Sequence, residues 1–107
     1  GSYTANNAAD GPYVYLGFRP SFLIVRNAGA DANWEITTSV YNKTSGNNPA
    51  DQHLFPNITS AETSSDAYNM LSNGFKIKST GYSRNRDTQH YVYYAWAAQP
   101  FKYSNGR

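Results

Sequence analysis

A chain of 107 residues that is 39% hydrophobic, 16% aromatic and only 15% charged has room for one core and carries a formal charge of +2. That field is too weak for non-specific binding to nucleic acid or membrane, and the absence of Cys excludes disulfides, thiolate nucleophiles and cysteine-held metals. Ten Tyr, five Phe and two Trp make rings, rather than aliphatic side chains, the main filling of the core. No stretch approaches the roughly 18 apolar residues of a membrane span, so no membrane insertion is expected. Gly1 and Ser2 read as a cloning remnant, which places a single domain over residues 3–107.

In chain order, five short segments rich in β-branched and aromatic residues and bounded by Gly, Pro or Asn predict strands. The first, Tyr13 to Phe18, sets Tyr13 and Tyr15 against Val14, Leu16 and Phe18, so both faces are apolar. Ser21 to Arg26 follows. In the third, Asn33 to Tyr41, the alternation predicts Trp34, Ile36, Thr38 and Val40 facing inward, with Asn33, Glu35, Thr37 and Ser39 facing water. The window from Ser60 to Leu71 is the best place for a turn or two of helix, with Ser60 as its cap. Gly74 to Lys78 and His90 to Ala98 complete the set. In the last, Tyr91 and Tyr93 alternate with Val92, Tyr94 and Trp96, and this predicts a strand covered on both sides. Strands at short spacing with polar connections indicate an all-β fold, an antiparallel β-sandwich of jelly-roll type with long polar loops at 27–32, 42–53, 57–73 and 79–89. Loops of that length are where binding chemistry is expected.

Catalytic signatures are weak. A glycosidase needs two facing carboxylates roughly 5 to 9 Å apart, and nothing brackets such a pair among Asp10, Asp31, Glu35, Asp51, Glu62, Asp66 and Asp87, which read as solvated or turn-forming side chains. There is no G-x-S-x-G, no G-x-G-x-x-G and no P-loop, and His53 and His90 lack partners at metal-ligand spacing. No enzyme, cofactor or metal is expected.

Recognition chemistry is better represented. The loop Gly81 to Asp87 (GYSRNRD) gathers Tyr82, Arg84, Asn85 and Arg86: the ring can stack on a flat ligand, and the guanidinium groups can fork onto hydroxyls or carboxylates. The alternative for this loop is an internal brace, with Arg84 or Arg86 paired to Asp87. Two arginines make a thin footprint for nucleic acid, which is not an expected partner. The surplus of Tyr with Asn, Ser and Thr suits a neutral glycan, whose hydroxyls want amide and hydroxyl partners and whose C–H faces want rings. Tyr82, Arg84, Asn85 and Arg86 are therefore the first ligand-binding candidates, followed by Tyr41, Asn47, Asn48 and Gln52. Among tyrosines, Tyr41, Tyr68 and Tyr82 are expected to make contacts, whereas Tyr13, Tyr15, Tyr91 and Tyr93 are expected to fill the sandwich. Two N-x-S/T tripeptides, at Asn42 and Asn57, are discounted in a chain so rich in Asn and Thr.

The order of several short segments resembles a domain at the C-terminal end of bacteriophage tail fibres and related virion proteins. It rests on YLGFRP (Tyr15 to Pro20), FLIV (Phe22 to Val25), Trp34, LFPNITSAE (Leu54 to Glu62), SNGFKI (Ser72 to Ile77) and the closing YVYYAWAAQPFKYSNGR (Tyr91 to Arg107). The chain departs from that pattern at Ser21 and Gln99, where acids are common. The resemblance implies a non-enzymatic host-surface recognition domain at a virion fibre tip, acting outside the cell as a homotrimer, with a host polysaccharide or other receptor as partner. The competing expectations are a structural trimerisation module without a ligand and a small glycan hydrolase. An interface between protomers would cover the second face of Tyr91 to Ala98 or of Tyr13 to Phe18.

Overall fold

A computed structural model describes residues 1–40, 48–81, 83–86 and 88–99. Eight strands, β1 (Ser2–Thr4), β2 (Tyr13–Tyr15), β3 (Pro20–Asn27), β4 (Glu35–Thr38), β5 (Ala50–Leu54), β6 (Thr63–Leu71), β7 (Gly74–Ile77) and β8 (His90–Ala97), pair in the order β1-β8-β3-β4-β5-β6-β7-β2. Every pairing is antiparallel. The fold is all-β, and one curled sheet supplies both layers of a barrel-like sandwich. The closure is visible in the core, where Tyr3 of β1 meets Phe75 of β7 edge-on at 6.2 Å although five strands lie between them in the sheet order. Tyr3 also stacks on Tyr91 of β8, with centroids 5.2 Å apart and planes 7° from parallel. Rings set the spacing between the layers, and Leu23, Val25, Met70 and Ile77 fill around them.

The strands at Pro20–Asn27, Gly74–Ile77 and His90–Ala97 lie where the hydrophobic runs predict them. Elsewhere the structure corrects the sequence. The window proposed as helix contains strand β6, whose Tyr68 and Met70 are buried and whose backbone pairs with β5 on one side and β7 on the other. Its Thr-Ser-Ser opening is a poor helix former, because hydroxyl side chains compete for backbone hydrogen bonds. The long loop assigned to 42–53 yields β5, in which Ala50, Asp51, Gln52 and His53 are all buried. Ser2, set aside with Gly1, opens β1 and pairs with Val92.

The inward face of β4 is also reversed. Glu35 and Thr37 are buried, Ile36 and Thr38 lie on the outer side, and Val40 is 80% exposed. The cause is chemical: buried partners for the carboxylate come from elsewhere in the chain, as described below. In β2 only Val14 is buried, and Tyr13 and Tyr15, expected inside, are exposed. The Tyr13 hydroxyl instead donates to Asn73 Oδ1 at 2.6 Å. Gly74 is required in the facing strand, because a Cβ there would run into the Val14 carbonyl oxygen.

Candidate functional site

Arg84 and Asn85, expected to present their side chains to a ligand, turn them inward. Asn85 is completely buried; its amide nitrogen donates to the carbonyls of Ala8 at 2.8 Å and Ser79 at 2.9 Å, and its oxygen accepts from the Asn6 N–H at 2.9 Å. Arg84 grips Glu35 with two nitrogens, Nε to Oε2 at 3.2 Å and Nη2 to Oε1 at 3.0 Å. Its backbone carbonyl accepts from the Tyr3 hydroxyl at 2.6 Å. Arg84 is thus braced from within by Glu35 on β4, while Asp87, the acid considered for a brace in this loop, lies outside the described residues. The Nε contact is a hydrogen bond and the Nη2 contact an ion pair, Oε1 itself accepting no hydrogen bond, and together they offset charges that would otherwise be costly to bury. Tyr68, expected as a contact residue, lies completely buried beside this pair with the Arg84 guanidinium 5.9 Å from its ring centre.

His53 completes the cluster. Its Nε2 lies 2.6 Å from the Ser65 carbonyl and its Nδ1 3.3 Å from Glu35 Oε1. A carbonyl can only accept, so the Nε2 carries hydrogen. Burial lowers the His53 pKa below the ordinary 6.5, and Arg84 acts in the same direction, against the opposing pull of Glu35, the Ser65 carbonyl and Asp51. The unfolded chain therefore binds the histidine proton more readily than the folded one. Stability from this group is complete above about pH 6.5 and falls as pH drops through that value towards the lower folded pKa. The urea midpoint is expected to be lower at about pH 5 than at about pH 7.5, and His53→Gln should shrink that difference. A midpoint unchanged by pH would contradict the assignment.

Access decides what this cluster can do. Glu35 and His53 are wholly buried, so the group holds the fold together and offers no surface to a reactant. Among the described residues, no group of three or more His, Asp or Glu is placed to hold a metal ion.

An accessible concavity lies elsewhere, in a cleft of about 490 Å³ lined by Phe18, Arg19, Ser39, Ser72, Ala98 and Gln99. That volume falls within the range of small-ligand sites. Four separate parts of the chain build it. Gly17 adopts φ +80°, a left-handed conformation natural to glycine, while the Leu16 and Gly17 N–H groups both donate to the Asn73 carbonyl at 2.8 and 3.0 Å. That turn carries Phe18 and Arg19 beside the β6–β7 connection, which bears Ser72. The Arg19 carbonyl then accepts from the Ala98 N–H at 2.8 Å, and the Ser39 N–H donates to the Ser21 carbonyl at 2.9 Å, drawing the ends of β8 and β4 to the same place. A ring, a guanidinium, two hydroxyls and an amide thus share one cleft, whose lining contains no carboxylate among the described residues.

A second feature is the outer face of β8, β3, β4 and β5. Tyr94, Ile24, Ile36 and Leu54 are directly opposite one another in successive strand pairs and form an apolar row across the sheet. Beside it, Trp96 lies edge-on to Phe22 with centroids 5.1 Å apart. Tyr94 is 56% and Trp96 50% exposed, so the second face of β8, expected to be covered, is left open by the described residues.

The remaining predicted contacts are dispersed. Gln52 is buried, with Nε2 donating to Asp51 Oδ1 and Ser64 Oγ, both at 3.2 Å. Asn48 is exposed, yet its amide is tied to the backbone of Met70, with Oδ1 accepting at 2.6 Å and Nδ2 donating at 3.0 Å. Arg86 is exposed and does not line the cleft. Tyr41, Asn47 and Tyr82 lie outside the described residues. Sequence reasoning overlooked Arg19, Ser39, Ser72 and Gln99 as a group; the available signal was the Gly17 turn placing an arginine between an aromatic residue and a proline.

Residues 1–100 match a family described as a domain of unknown function, DUF7483. No curated protein matches the chain, and no solved structure matches it. On a match extending over nearly the whole sequence, the chain belongs to the DUF7483 family.

Proposed function

We propose that this is a non-enzymatic recognition domain of a phage tail fibre, which holds a host-surface glycan in the cleft at Phe18 and Arg19. The composition of that cleft carries the reading. Sugar C–H faces pack on a ring, sugar hydroxyls exchange hydrogen bonds with Ser39, Ser72 and Gln99, and Arg19 supplies a fork of donors. Hydrolysis would require two facing carboxylates, and the described residues of the lining supply none. The resemblance in strand and turn order to tail-fibre tips supports the virion setting, with the domain working outside the cell. A glycan array probed with the purified chain is expected to yield bacterial polysaccharides as binders. Silence across the array, or release of sugar from a bound polysaccharide, would reject the reading.

The outer apolar row favours an assembly role in the same fibre, with a second copy of this chain as its occupant. Tyr94 and Trp96, each about half exposed, offer roughly 100 Å² of ring surface apiece. Arg26 stands over the Trp34 ring at 5.2 Å and brings a cation, not an acid, to the surface that two copies would share. A homotrimer built this way would also multiply weak glycan contacts by linking three clefts. Sedimentation should show concentration-dependent association that Trp96→Glu abolishes while leaving the melting temperature nearly unchanged. A wild-type monomer at millimolar concentration would remove the assembly role.

A further inference from the structure

The cleft contains a cation whose charge no described side chain neutralises. Arg84 is clamped by Glu35, and Lys76 and Lys78 both reach Asp10, at 3.0 and 2.9 Å, whereas Arg26 lies over the Trp34 ring on the outer face, without an ion pair among the described residues. Arg19 has no ion pair among the described residues, although it is half-buried. A half-buried guanidinium stays within reach of an anion entering the cleft, and a carboxylate or phosphate there would meet it where the attraction is less screened than in open water.

The backbone at this point is held in place. Pro20 disfavours the helical conformation at Arg19, and the Arg19 carbonyl is fixed by the Ala98 N–H at 2.8 Å. Little conformational freedom of the main chain is then lost on binding. Among the described residues the lining contains no acid to compete for the guanidinium, and Ser39, Ser72 and Gln99 offer neutral polar groups around it.

We infer that the cleft selects an acidic glycan, with the Arg19 guanidinium forking onto a carboxylate or phosphate borne by a sugar. This rests on the glycan-binding reading above and names the ligand's charge. The planar fork matches two oxygens of either group, whereas an uncharged sugar would leave the cation uncompensated. Phe18 then takes the C–H face of the same sugar, and the hydroxyl and amide groups meet its ring hydroxyls. The formal charge of +2 on the whole chain opposes no such ligand.

Calorimetric titration of the full chain with trigalacturonic acid, with its trimethyl ester and with a phosphorylated trisaccharide separates the possibilities. The acid or the phosphate should bind, showing which anion is taken, and the ester should bind at least about 10-fold more weakly. Arg19→Gln should weaken the acidic ligand by about 10- to 100-fold with an unchanged melting temperature, and Arg19→Lys should recover part of that loss by restoring charge without the fork. Equal binding of acid and ester, an unaffected Arg19→Gln variant, or array binders that are all neutral would overturn the acidic preference while leaving glycan recognition standing. No binding in any titration together with a silent array would remove both.

Discussion

Replacing Arg84 by Ala is expected to cost about 3–5 kcal/mol of folding free energy, because it leaves the Glu35 carboxylate in the sheet interior without its guanidinium. Glu35 is fully buried, and the nitrogens at 3.2 and 3.0 Å are its principal charged contacts. Removing the arginine also takes away the hydrogen bonds from its Nη1 to Ser65 and Ser79, at 3.3 and 3.4 Å, which tie the β7–β8 connection to β6. Against a typical domain stability of about 5–15 kcal/mol, that loss is a large fraction, and equilibrium urea unfolding would read it directly. The double variant Glu35→Leu with Arg84→Met should recover part of it, since an apolar pair needs no charge compensation. An Arg84→Ala variant within about 0.5 kcal/mol of wild type would show that the pair does not brace the fold.

Phe75→Ala should lose a comparable amount, about 3–5 kcal/mol, through lost ring burial and the cavity left behind. Phe75 is the hub of the aromatic core. It meets Tyr3 at 6.2 Å, Tyr68 at 6.1 Å and Tyr93 at 5.3 Å, each close to edge-on, and so joins β7 to strands from the other end of the sheet. Phe75→Leu keeps most of the volume and should cost much less. If Phe75→Ala stayed within about 1 kcal/mol of wild type, ring contacts would not be what closes the barrel.

How much of this was legible depended on where the determining partner lies in the chain. Ser21 to Arg26 and His90 to Ala98 declare themselves through branched and aromatic runs, and the structure forms strands there. Glu35 shows the opposite case. Its burial is decided by Arg84, 49 residues away, and by His53 on β5, so alternation read within the strand alone inverts the faces. The same long-range chemistry hides β5, whose buried Asp51, Gln52 and His53 look like loop residues until their partners are known. Strand β6 fails for a related reason: its exposed Thr63, Ser64 and Ser65 carry no apolar signal, and its pairing with both neighbours supplies the order. The cleft was the least legible of all. Phe18, Arg19, Ser39, Ser72 and Gln99 are unremarkable where they stand in the sequence, and only the Gly17 turn and the closing of the sheet bring them together.

The decisive measurement is an amide chemical-shift titration of the labelled chain with a polysaccharide fragment taken from the array. Perturbations concentrated on Phe18, Arg19, Ser39, Ser72 and Gln99 are predicted, with the amides of Arg84 and Asn85 unmoved. Shifts centred on the outer row of Tyr94 and Ile24, or on the loop at Arg86, with the cleft silent, would contradict the placement of recognition at the end of the sheet.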